Sequence, residues 1–319
     1  QASDLVAALS IQSQQASSND KADNSDEAQS LSLLSADLPL AKLLAGAPSI
    51  LLSQSFANQV APKGKMLLNG INLDVIELDD SLSLIMKGKN INGIATKSPS
   101  TLFSNTNTPY FNKILKQQTD AHLSEHNLGY LYKTMIEAKS SAKYIYETTK
   151  TYKSGFEYPN NPFGKQLKTT AEFINSNIDS KVFYLSMGGF DTHANQINRQ
   201  NKLLKTYSNS IEVFINDLKK NDTFKDTLIL TFSEFGRRVE QNAAGGTDHG
   251  AANNVFILGE NLKTKGFYNE SPNLANLDKN KDLIHTIDFR TIYATILDKW
   301  LGVAHSSILN NSFQNLKFI

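Results

Sequence analysis

Three short segments hold most of the residues able to do chemistry. They are GGFDTHANQ (188–196), SEFGRR (233–238) and GGTDHG (245–250). Asp, Glu and His are the usual ligands of a hard or borderline divalent cation. Asp191 and His193, two apart on an extended turn, point toward one site. Glu234 sits just past an apolar run, and Asp248 and His249 follow a pair of glycines. Gly188, Gly189, Gly245 and Gly246 let the backbone turn sharply where side chains must converge. Arg237 or Arg238 has the forked geometry to clamp an anionic group. Each residue also has an ordinary structural reading. Asp191 with Thr192, or Asn195, would serve as a helix cap. His249 would serve as a loop histidine. Glu234 would pair with Arg237 or Arg238 on the surface, worth about 0 to 1 kcal/mol. Their co-occurrence at successive strand ends favours one divalent-metal site, with zinc, manganese, magnesium and calcium all open.

The elements that position these segments follow from apolar patterning. Residues 181–187 (KVFYLSM), 226–232 (DTLILTF) and 255–258 (VFIL) are short apolar runs that read as buried strands. Ile197, Leu204, Ile211, Ile215 and Leu218 mark a helix between the first two. Asp288 is a suitable N-cap for a last helix through Phe289, Ile292, Ile296 and Trp300, stopping at Gly302. Upstream, Leu128, Leu131, Met135, Ala138, Ala142 and Ile145 recur at helical spacing, as do Phe163, Leu167, Ala171, Ile174 and Ile178. Uniformly apolar strands alternating with helices predict an α/β fold whose mainly parallel sheet has helices on both faces. In such sheets ligands bind beyond the carboxyl ends of the strands.

The remainder of the chain is read by composition. Residues 12–30 are almost wholly polar and are expected to form a disordered or loosely held loop. Alternation over residues 66–78 predicts a β-hairpin turning at Asn69-Gly70. Residues 96–112, rich in Ser, Thr, Asn and Pro, read as a linker. The expected organisation is a variable region over 1–112, a helical segment over 113–157 and an α/β region over 158–319.

Among the 319 residues, 32 basic and 31 acidic side chains nearly cancel. That excludes a basic nucleic-acid surface as the organising feature. The complete lack of cysteine excludes disulfides, thiolate metal sites and cysteine nucleophiles. The longest mostly apolar stretch, residues 43–52, is interrupted by Gly46, Pro48 and Ser49, so no membrane span is predicted. His122 and His126 with Glu125 form an H-x-x-E-H pattern in a polar segment that nothing else marks as catalytic. His285 and His305 read as surface or capping residues.

The segments VFYLSMGGFDTHANQ, TLILTFSEFGRRVEQNAAGGTDHGAANNVFILG and TIDFRTIYATILDKWLG, in consistent order over residues 158–319, resemble domain-of-unknown-function family 1501. That family is a bacterial group within the alkaline-phosphatase and sulfatase-like superfamily. The resemblance implies an alkaline-phosphatase-like fold with a metal centre at its strand ends. By position, Asp191 and His193 would bind one metal. Glu234 and Phe235 stand where the superfamily usually has Asp-His, and Phe235 cannot ligate. His249 resembles a further ligand, with Asp248 beside it. The implied activity is metal-dependent hydrolysis of phosphate or sulfate esters, with Arg237 orienting a small anionic substrate. No Gly-Gly-Asn-Asp-Gly-like turn, where the superfamily carries its nucleophile, is found in the sequence. The expectation is therefore a chain lacking its N-terminal strand or strands, truncated and inactive by itself. The alternative is a non-catalytic binding or assembly protein on the same scaffold. The resemblance further implies export, to the periplasm or outside the cell.

Overall fold

A computed structural model describes residues 5–11, 75–83, 93–116, 127–309 and 311–319. The strands are β1 (Leu5–Ile11), β2 (Val75–Glu77), β3 (Ile94–Ala95), β4 (Val182–Ser186), β5 (Thr227–Ser233), β6 (Gly236–Arg237), β7 (His249–Gly250) and β8 (Phe256–Leu258). The helices are α1 (Pro99–Thr106), α2 (Pro109–Lys116), α3 (Asn127–Thr148), α4 (Pro162–Asn175), α5 (Gln196–Lys220), α6 (Phe289–Lys299) and the short α7 (Ser306–Leu309). Six strands form one sheet in the order β3-β2-β4-β1-β5-β8, and β6 and β7 form a separate two-stranded ribbon.

Strand alternation divides the core. On one face Ile76, Phe183, Leu185 and Ile229 pack with Phe163, Leu167 and Ile174 of α4 and Ile211, Phe214 and Leu218 of α5. On the other, Leu228 and Leu230 pack with Ile292, Ile296 and Leu297 of α6 and Ile308 and Leu309 of α7. Burying each such side chain stabilises by about 1.5–3 kcal/mol, which explains why strands β4 and β5 are apolar on both faces. Asp288 caps α6 by accepting from the Arg290 amide, and Gly302 follows the helix at φ +67°.

The fold is mixed α/β with a mainly parallel sheet, and several of its details lie beyond or against the sequence reading. β8 runs antiparallel to β5. Strand burial alone does not encode direction, which depends on the connection. Residues 96–112 are not a linker: they hold α1 and the first half of α2. Ser98 accepts from the Thr101 amide and Pro99 opens α1, so the Ser and Pro read as linker punctuation are helix-start residues. β2 lies parallel between β3 and β4, inside the 66–78 stretch whose alternation suggests strand. The Asn69-Gly70 turn lies outside the described residues, as do residues 12–30, His122 and His126. Finally, β1 occupies the sheet centre, parallel to both β4 and β5. A strand from the N-terminal residues is thus part of the sheet. Three of the sheet's strands come from the first 112 residues and join the sheet that holds the C-terminal strands.

Glu77, at the carboxyl end of β2, is buried. Burial raises its pKa, an effect that the hydrogen bonds from Ser83 only partly offset. A carboxyl with a raised folded-state pKa favours folding when neutral, and ionising it costs stability as pH rises through that value. Glu77→Gln, which keeps an acceptor for the Ser83 amide, is expected to raise Tm at pH 8. The difference should vanish near pH 3.5, where both forms are neutral. Melting curves at the two pH values check this, and a variant less stable than wild type at pH 8 contradicts it.

Candidate metal centre

β4 is followed by Gly188-Gly189, and Gly189 takes φ +97°, which a residue with a Cβ seldom adopts. The turn brings Asp191 and His193 beyond the carboxyl end of the sheet. From the other side, β6 and β7 pair antiparallel with Arg237 opposite His249. The two loops touch backbone to backbone. A Cβ on Gly246 would stand 2.3 Å from the His193 carbonyl. The Asn195 and Gln196 amides donate to the Ala244 and Gly245 carbonyls at 3.3 and 3.1 Å. Asn195 occupies the N-cap position of α5 without a side-chain capping bond, so neither it nor Asp191 is explained as a cap.

Three ligand atoms converge there. One each from Asp191, His193 and His249, they lie within 4.8 Å of one another. Asp191 Oδ1 stands 2.8 Å from Nε2 of His193 and 2.8 Å from Nε2 of His249. Donors about 2.1 Å from a shared metal lie roughly 3.0–3.4 Å apart, so a small outward movement of each would admit an ion. The two imidazoles are 48% and 41% exposed, which leaves the centre open to solvent on one side. Partial burial works to raise the Asp191 carboxyl. Its hydrogen bond with His249 and the charges of His249, His193 and Arg237 outweigh burial and hold it below the ordinary value. Asp191 is therefore an anion at neutral pH, the form that binds metal.

The other expected site residues surround this triad. Asp248 does not join the converging atoms. Its Oδ1 faces Nδ1 of His193 at 3.3 Å, on the opposite edge of the ring from Asp191. The Asn242 hydrogen bond, with help from His193, holds the Asp248 carboxyl below its ordinary value. A carboxylate behind a histidine fixes its tautomer and ring orientation in metal sites. Glu234 is not among the three groups that converge. Arg237 lies 3.5 Å from Asp191, and its guanidinium donates to the carbonyls of Thr247 and Phe190. It ties the two loops together beside the triad. Arg238 is turned away, toward Asp282 and the Asn280 carbonyl. Phe235 stacks on the His249 ring, centroids 3.8 Å apart and 17° from parallel. The Arg237 guanidinium lies 5.1 Å from the Phe235 ring centre. Asn242, which bonds both loops, carried no sequence signal beyond an Asn ahead of a Gly-rich turn.

The donor chemistry fits a divalent ion. Two imidazole nitrogens and a carboxylate are a common ligand set, and three protein ligands leave coordination positions open. The molecule is thus a mixed α/β protein with a histidine–carboxylate triad at the strand ends of its sheet. Residues 101–314 match the family model described as "Protein of unknown function (DUF1501)", and the chain belongs to that family. No curated protein matches the sequence.

Proposed function

We propose that this is an exported, metal-dependent hydrolase-like protein of the alkaline-phosphatase and sulfatase-like superfamily, directed at phosphate or sulfate esters. The observation that carries this reading is the convergence of Asp191, His193 and His249 at an exposed strand-end position. Imidazole donors favour zinc over magnesium, calcium and manganese, which suit oxygen ligands. When bound, the ion supplies Lewis acidity toward an anionic oxygen. Asp191 and the two imidazoles hold it, Asp248 orients His193, and Arg237 places a fixed positive charge beside the open face.

The hydroxyls carried by these loops are occupied. Thr192 donates to the Phe190 carbonyl, Ser233 to the Phe235 carbonyl, and Thr247 to Gln196. Because the superfamily's nucleophile-bearing turn is not found in the sequence, the chain is expected to bind a divalent ion, and through it phosphate or sulfate, without turning over an aryl ester. Equilibrium dialysis of inorganic phosphate and sulfate against the manganese- or zinc-loaded chain tests the reading. Metal-dependent anion binding, lost in His249→Ala, supports it. Turnover of an aryl phosphate, abolished by His249→Ala, would show that a nucleophile is present after all. A second reading, a non-catalytic binding or assembly protein, draws on Phe235 stacked over His249 and on Arg237 spent on backbone carbonyls. Metal uptake without anion binding favours that second reading.

A further inference from the structure

Asn242 stands outside the triad, yet it reaches both ligand-bearing loops. Its Oδ1 accepts from the amides of Ala244 and Gly246, each at 3.0 Å. Its Nδ2 donates to the His193 carbonyl at 3.0 Å and to Asp248 Oδ1 at 3.3 Å. A primary amide has two donor hydrogens and two acceptor lone pairs, so the side chain is fully used. The accepting half closes the 242–246 turn, which the Asn242 amide reinforces by donating to the Gly246 carbonyl at 2.8 Å. The donating half does something different. It crosses to the loop that carries His193, and it grips the carboxylate behind that ring.

We infer that Asn242 is the positioning residue of the metal centre. Its amide joins the His193 loop to the His249 loop and holds Asp248 against His193 Nδ1. The inference rests on the metal-binding reading and deepens it. A three-ligand site drawn from two loops has no covalent element fixing the distance between His193 and His249. The backbone contacts at Ala244 and Gly245 set the spacing at one end. The Asn242 bridge sets it beside the ligands and couples the spacing to the orientation of the imidazole. Groups that hold metal-ligating histidines from behind typically matter by about 10- to 100-fold in metal affinity.

The substitution Asn242→Asp separates the two halves of the side chain. An aspartate still accepts from Ala244 and Gly246, so the turn survives. It then sets a carboxylate oxygen against the His193 carbonyl and the Asp248 carboxylate, which pushes the loops apart. The added negative charge near a cation would by itself strengthen metal binding. A bystander role and a positioning role therefore predict opposite signs. The test is titration of wild type, Asn242→Asp and Asn242→Ala with cobalt(II) alone, reading affinity and the visible absorption band, with melting of the metal-free proteins alongside. Expected are an affinity about 10- to 100-fold weaker in both variants and an altered band, with the metal-free variants still folded and melting cooperatively. Unchanged or tighter binding by Asn242→Asp would overturn the inference and leave the metal reading standing. So would a lowered Tm in either variant with unchanged affinity, because Asn242 would then only stabilise a turn. Failure of the wild type to bind cobalt would overturn both.

Discussion

Asp191→Ala is expected to abolish divalent-metal binding by the folded protein. Asp191 is the only anion among the three converging groups, and its Oδ1 is the atom that both imidazoles approach at 2.8 Å. Its loss leaves two imidazole nitrogens with the Arg237 cation nearby, a poor place for a further positive charge. The loss should exceed the roughly 100-fold expected from a supporting partner. Asp191→Asn keeps the shape and an oxygen donor but not the charge, and should bind far more weakly than wild type. The site is partly exposed and Asp191 is not part of the apolar core, so both variants should fold. Isothermal titration with zinc or manganese, with circular dichroism as the control for folding, checks the result. Wild-type affinity in Asp191→Ala would remove the triad from consideration.

The second large effect concerns the scaffold beneath the site. Asp217 lies on α5 with no exposed surface. It accepts hydrogen bonds from the hydroxyls of Tyr152 at 2.7 Å, Ser154 at 2.5 Å and Tyr158 at 2.9 Å. Asn175 and Asn221 each add an amide at 3.3 Å. A buried carboxylate is tolerated only when its lone pairs are filled, and here tyrosines, a serine and amides fill them. Burial, together with the Asp217 charge, pushes the Tyr158 phenol well above its ordinary value, so it remains a donor. The cluster staples the chain between α3 and α4, and the end of α4, to the helix that starts at the metal centre. Asp217→Ala orphans several buried donors at once and should destabilise by about 3–5 kcal/mol, a large part of the stability of an ordinary domain. Urea denaturation measures it. A loss below about 1 kcal/mol would mean that water replaces the carboxylate at little cost.

How much of this was legible in the sequence depended on the kind of signal. β4, β5, α4, α5 and α6 were readable because their apolar residues repeat at the spacing that faces a core, and Asp288 marked the start of α6. Asp191, His193 and His249 were readable as one site because strand ends of such a sheet share an edge. α1 and the start of α2 are less so, because their Ser-Pro and Thr-Pro starts resemble loop punctuation. The seven residues of β1, LVAALSI, ahead of a long polar run, carry no periodicity that separates strand from helix. The direction of β8 depends on how its loop returns. The division of labour between Asp248 behind His193 and Asp191 in front of it is set by ring orientation, which spacing along the chain does not encode. Asn242 acts through four hydrogen bonds at once, and only the folded loops bring those partners together.

The central claim is that Asp191, His193 and His249 together hold one divalent ion. Anomalous diffraction from crystals of the chain grown with zinc or manganese tests it most directly. A single strong peak is expected about 2.0–2.3 Å from Asp191 Oδ1 and from the Nε2 atoms of His193 and His249. Crystals containing the metal but showing no peak at that position would contradict it.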